Sequence, residues 1–151
     1  MTGMGWDKVV YHSAVSTADT TEALAPVSLA PGATNEWRII SLKVGIATGS
    51  SSPTNTSPIV QVRDSAGTVY YSQGVRGDFV DASDTGKYFV FTSGDIWEND
   101  TDLAQGDTTV ALIKMPELVI PKNCDLYVYL KNGGTGDSVT VHLMAWQRST
   151  F

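Results

Sequence analysis

The sequence predicts an all-β chain: a single-domain antiparallel sandwich of jelly-roll type, with about eight strands and little or no helix. Three observations carry this. Val (16) and Thr (17) are abundant while Glu occurs four times, a strand composition rather than a helix one. No window longer than about two helical turns keeps a 3.6-residue apolar period. Short alternating runs recur between turn clusters, and a single open sheet made of them would leave an apolar face uncovered.

The first run is Lys8 to Val15, followed by a Thr/Ala/Pro-rich connection in which Thr20 to Leu24 can form one helical turn before Pro26 stops it. Trp37 to Ala47 is the longest strand and, read with a strict period of two, puts Ile40, Leu42, Val44 and Ile46 on one face. Thr48 to Pro58 reads as a surface loop. Ile59 to Arg63 and Thr68 to Ser72 flank Asp64-Ser65-Ala66-Gly67, a type I turn pattern. Without a bulge Val62 faces Val69, and a bulge at Gly67 shifts that register. Lys87 to Thr92 and Val110 to Met115 follow, separated by the acidic stretch SGDIWENDTDLAQGD, and Asp125 to Lys131 leads into the last strand. No internal repeat or linker divides the chain, so residues 1–151 read as one domain: 37–147 as sandwich core and 1–36 as including an extended N-terminal arm.

The segment YLKNGGTGDSVTVHLMAWQ, Tyr129 to Gln147, admits two readings. A phosphate-binding loop needs a helix after it, because backbone N–H groups and the helix dipole hold the anion. Here the β-branched, alternating run Ser138 to Leu143 follows, and neither GxxxxGK[ST] nor GxGxxG is present. The sequence therefore predicts a hairpin about Gly134-Thr135. It opposes Leu130 with Val139, Val128 with Val141 and Leu126 with Leu143, with Gly133, Gly134 and Gly136 at positive φ. Tyr127, Tyr129, Met144 and Trp146 project from the second face of that hairpin, and Trp37 and Ile39 from the outer face of the long strand. Two readings fit these six: partial cover by loops or by the arm, or a subunit or capsid interface, where aromatics and Met are enriched and charges depleted.

Charge and chemistry narrow the function. The net charge is -6 and Lys and Arg are scattered singly, whereas neutralising phosphates requires a basic stripe, so nucleic acid and anionic membrane surfaces are disfavoured. No transmembrane-length apolar run occurs, and the opening residues carry no secretory pattern. His12 and His142 lack a GxSxG elbow or a partner acid. One cysteine, Cys124, and two distant histidines do not make a zinc site. Counted from Asp100, Ala104 and Gln105 stand where an EF-hand needs a ligand and Gly. Carboxylates suited to glycoside hydrolysis are plentiful, but no pair stands out. Arg76-Gly77-Asp78 matches the integrin tripeptide, which chance also supplies. Trp6, Trp37, Trp97 and Trp146 suit core or interface better than a sugar platform. The expectation is no catalytic residue, no cofactor and no metal.

WRIISLKVGIA, IVQVRDSAGTVYYS and LVIPKNCDLYVYLKNGGTGDSVTVHLMAWQ together resemble small jelly-roll proteins of tailed bacteriophages. There a long first strand leads to a D-x-x-G hairpin, and a P-x-L-x-I-P step precedes a glycine-rich turn. The resemblance spans Trp37 to Gln147. It also leads one to look for a glycine near Asn123-Cys124, where this chain has none. It implies a capsid decoration, or cement, protein: a virion structural protein on the outer capsid surface, trimeric, with the major capsid protein as partner and the Ser16-to-Glu36 stretch as an arm. A carbohydrate- or receptor-binding module of a phage fibre or tail is the alternative.

Overall fold

The computed structural model describes residues 5–6, 8–18, 25–49, 56–75, 87–93 and 109–150. They form ten strands: β1 (Lys8–Thr17), β2 (Val27–Leu29), β3 (Asn35–Ala47), β4 (Ser57–Asp64), β5 (Val69–Gly74), β6 (Lys87–Thr92), β7 (Thr109–Lys114), β8 (Val119–Ile120), β9 (Cys124–Lys131) and β10 (Ser138–Ser149). The two strands beyond the eight expected are β2 and β8, three and two residues long and thus too short to show a period.

The chain pairs as one long antiparallel ribbon. β4 pairs with β5, β3 with β6, β2 with β9 and β1 with β10. Rolled up, that ribbon becomes two sheets, β1-β10-β3-β6-β7 and β2-β9-β4-β5. Without β7 and β8 this is the strand order of a jelly roll. β7 is added parallel to β6, and β8 is laid against Trp37 and Arg38 of β3.

Between the sheets lies one core. Leu42, Val44 and Ile46, Phe89 and Phe91, and Val139, Val141 and Leu143 face Val60, Val62, Leu126, Val128 and Leu130. Each such side chain contributes about 1.5–3 kcal/mol by leaving water, which is why the alternating pattern governs which way each strand faces.

That core overturns the final hairpin. β9 belongs to the four-stranded sheet and β10 to the six-stranded one. Leu130 stands opposite Pro58 and Val139 opposite Ile46, each within its own sheet. Both apolar faces are buried as expected, but they meet across the core rather than side by side.

The glycine-rich segment is accordingly a connection between sheets. Asn132 and Gly136 take positive φ (58° and 90°), whereas Gly133 and Gly134 do not. Asp137, fully buried, organises it: its carboxylate accepts N–H bonds from Gly134 (2.8 Å) and Gly49 (3.0 Å). Its backbone carbonyl accepts from Ala18 N–H, and Gly136 N–H bonds back to the Ala18 carbonyl, both at 2.8 Å. The loop is thereby tied to the ends of β1 and β3.

A second correction concerns β3. Met144 faces Ser41 and Ala145 faces Ile39, so Ile40 has no partner across the ladder. This bulge inverts the alternation: Leu42, Val44 and Ile46 point inward as expected, but Trp37 and Ile39 also turn inward and are buried. Trp37 Nε1 donates to Gln147 Oε1 at 2.9 Å, and Ile40 is only half-buried.

The D-x-x-G turn forms with the bulge. Gly67 (φ 84°) donates to the Asp64 carbonyl and Arg63 faces Val69, and a further register shift between Val62 and Arg63 skips Tyr70, so that Val62 faces Tyr71. The missing glycine has a simple counterpart: Asn123 takes φ 61°, a conformation Asn tolerates, and donates to the Gly32 carbonyl.

The described part of the expected arm is built into the sandwich. Ala18, Ala25 and Val27 are buried and β2 pairs with β9, because these apolar residues cap the core where β1 crosses to the other sheet. Thr20 to Leu24, Arg76-Gly77-Asp78, Trp97 and the acidic stretch from Asp95 to Asp107 lie outside the described residues.

Candidate interaction surfaces

The register places the outer face of the six-stranded sheet side chain by side chain. Val9, Tyr11, Ser13 and Val15 stand beside Trp146, Met144, His142 and Thr140, which stand beside Arg38, Ser41, Lys43 and Gly45. Tyr11 and Val15 are 73% and 67% exposed, the most open large apolar side chains on this face. A shallow groove of ≈ 360 Å³ opens beside Tyr11, lined also by Ser13, Lys43, His142 and Met144.

The Lys43 ammonium lies 4.0 Å from the Tyr88 ring centre. Tyr88 lies over Gly45, where a Cβ would come within 2.7 Å of its Cε1. At one end the Trp6 ring carries Arg148 at 4.4 Å and Arg38 at 5.4 Å. Arg148 is ion-paired with Glu36, and Arg38 with Glu117 at 3.5 Å. Such cation–π contacts are worth about 0.5–1 kcal/mol at exposed sites, enough to orient a ring.

The outer face of the four-stranded sheet carries a second aromatic group. The Arg63 guanidinium sits 3.4 Å from the Tyr127 ring centre, and the Tyr127 and Tyr129 rings are 5.6 Å apart. Asp125 fixes the arginine (3.4 Å) and accepts from Ser28 Oγ at 2.6 Å. The result is a preorganised stacking surface of two half-buried tyrosines.

A third feature lies where β5 and β8 approach each other. A cleft of ≈ 430 Å³ is lined by Val62, Tyr70, Tyr71, Leu118, Val119, Pro121 and Cys124. Tyr70 donates its hydroxyl to the Asp64 carboxylate at 3.0 Å, which also accepts from the N–H groups of Ala66 and Thr68 at 2.9 Å. These bonds, led by Thr68 N–H, hold the Asp64 carboxyl below its ordinary value. Donation to Asp64 holds the Tyr70 phenol above its own. The Cys124 thiol is pushed up by burial first and then by the Asp64 and Asp125 carboxylates. A thiol so placed stays protonated at neutral pH and is a poor nucleophile.

The six residues singled out in the sequence therefore fall in three places. Trp37 and Ile39 are core. Tyr127 and Tyr129 are half-buried on the four-stranded sheet, and Met144 and Trp146 half-buried on the opposite face of the molecule, because β9 and β10 belong to different sheets. Tyr11, Val15, Val69, Tyr70 and Val119 are more exposed than any of them. Sequence reasoning missed Tyr11 and Val15 because both faces of β1 carry apolar residues, Val10 and Ala14 inward and Val9, Tyr11 and Val15 outward. His12 and His142 sit on neighbouring strands, where His12 leans on the Trp37 ring at 4.6 Å. Among the described residues no three His, Cys, Asp or Glu side chains converge as metal ligands would.

No family model and no curated protein matches the chain. Among solved structures it is similar to that of the infectious bursal disease virus Gx strain, at 11% identity and a TM-score of 0.36 over 95% of this chain and 37% of that one. It is similar also to the D431N mutant VP2 protein of infectious bursal disease virus in derived T=1 particles, at 16% identity and a TM-score of 0.28 over 93% of this chain and 36% of that one. For the Gt strain of the virus the values are 13% identity and a TM-score of 0.27 over 91% and 36%. The likeness is weak in each case, and this chain spans little more than a third of the length of these neighbours.

Proposed function

We propose that this chain is a virion structural protein: a decoration protein that binds the outer surface of a tailed-phage head, ties neighbouring major capsid proteins together and acts as a trimer. In this reading it carries no catalysis and needs no cofactor, because its surfaces bind. The observation that carries it is the pair of outward faces on a jelly-roll sandwich. One face bears Tyr11, Val15, Met144 and Trp146, and the other bears Tyr127 and Tyr129 braced by Arg63. The strand order matches what the phage resemblance implies for the fold.

Purified expanded heads lacking this chain are mixed with it and sedimented, and its mass in solution is read in parallel. Saturable co-sedimentation of a trimer is the expected result. A monomer that ignores heads but binds glycans on an array sinks the proposal and favours the carbohydrate-binding alternative.

A further inference from the structure

The outer face of the four-stranded sheet holds polar groups that its own contacts leave unused. Asp125 takes both of its bonds on one oxygen: Ser28 Oγ at 2.6 Å and Arg63 Nη2 at 3.4 Å both meet Oδ2. Among the described residues Oδ1 has no partner. A guanidinium carries five N–H donors. Within the described residues the Arg63 side chain uses one of them, on that long bond, and its Nε, shut away from solvent, has no partner. Open donors and an open acceptor are thus held side by side. Arg63 and Asp125 stand opposite each other in the β4–β9 ladder, and the Tyr127 ring braces the guanidinium at 3.4 Å.

The pair stands between two surfaces. Along the sheet lie the Tyr127 and Tyr129 rings and Gln61, which faces Tyr127 in the ladder and donates to Ser72 Oγ at 3.3 Å. At the end of β4 opens a hollow of ≈ 500 Å³, whose wall includes Arg63 and Asp125 with Gly32, Ser65, Gly67 and Asn123.

We infer that this face binds a neutral oligosaccharide. One sugar unit sits in the hollow, with neighbouring hydroxyls donating to Asp125 Oδ1 and accepting from Arg63, and the chain continues over Tyr127 and Tyr129. A hydroxyl both donates and accepts, so two adjacent ones match an open acceptor beside open donors. An acidic sugar meets the carboxylates of Asp64 and Asp125 against the single guanidinium, and like charges at this range repel. A protein anchor is best served by a desolvated apolar pocket, whereas this hollow has a charged pair in its wall. The site does not rest on the proposed function: the six-stranded face, on the opposite side of the molecule, remains for the shell.

The test is an array of neutral oligosaccharides beside carboxylated and sulfated ones. The neutral glycan giving the strongest signal is then titrated into the chain, with the amides of Asp125, Tyr127 and Tyr129 followed by NMR. Wild type binds neutral glycans, and acidic ones several-fold more weakly. Arg63→Met keeps a long side chain against Tyr127 but removes the donors, and Asp125→Ala removes the acceptor. Each weakens binding about 10- to 100-fold, as expected for a hydrogen bond to a charged group. Met144→Ala, on the opposite face, binds like wild type, and melting curves show that each variant is folded.

Silence of every neutral glycan, tighter binding of acidic ones, or wild-type affinity in folded Arg63→Met overturns the site. Head binding is read separately by co-sedimentation. Heads bound without any glycan refute the site and leave the decoration reading standing, and glycans bound without heads do the reverse. An Arg63→Met variant that loses heads but no glycan makes this face a protein contact, and the glycan site falls.

Discussion

Replacing Asp137 by Ala tests the joint that routes the chain from one sheet to the other. The carboxylate is fully buried and accepts two backbone N–H bonds, from Gly134 at 2.8 Å and Gly49 at 3.0 Å. A hydrogen bond to a charged group contributes about 1.5–3 kcal/mol, and its loss leaves the donor unsatisfied. Two such bonds sum to roughly 3–6 kcal/mol, from which relief of the buried charge subtracts. The expected net loss is about 3 kcal/mol, or roughly 6–12 °C in melting temperature for a chain of this size. Asp137→Asn falls between, because its amide oxygen keeps one bond while its NH₂ faces the other N–H. Urea unfolding with linear extrapolation measures both, with an unchanged m value. A loss below about 1 kcal/mol for Asp137→Ala would refute the account of the loop.

Three further outcomes are expected. Trp37→Ala costs about 3–5 kcal/mol because the side chain is core, whereas half-buried Trp146→Ala costs about 1 kcal/mol or less, and parallel urea curves separate them. Equal losses would contradict the β3 bulge. Cys124 reacts slowly with an aromatic disulfide at neutral pH, and its rate rises with pH only above the usual thiol range, because burial and two carboxylates raise its folded pKa. A rate plateau near neutral pH counts against that environment. The Asp64 carboxyl is depressed, so its contribution is fully present above the ordinary carboxylate value and is lost as pH falls through its lower folded value. An NMR titration of the Ala66 and Thr68 amides follows it, and a midpoint at or above the ordinary value contradicts the hydrogen bonds.

Strand positions were legible because burial enforces alternation, and alternation survives in the letters. Leu126, Val128 and Leu130, like Val139, Val141 and Leu143, are all buried. Pairing was not legible. Two consecutive strands with apolar faces satisfy a hairpin and a facing pair across a core equally well, and only the wider ribbon order decides. The bulge was hidden for a related reason: Ile39 and Ile40 are identical side chains, so the sequence does not say which one turns inward. Asp137 lies within the turn that the hairpin reading implies, although its polarity between two apolar strands fits a buried loop organiser as well. The interface candidates inherited these errors. Trp37 and Ile39 moved into the core and the remaining four were divided between opposite faces, while Tyr11 and Tyr70 emerged only from their exposure in the fold.

The most direct test of the proposed decoration role is imaging of expanded tailed-phage heads, bare of this protein, after incubation with it. The account predicts ordered three-lobed density on the outer shell at sites between major capsid subunits, absent from shells that were not incubated with the chain. Bare shells at saturating concentration of a folded, assembled protein would contradict it.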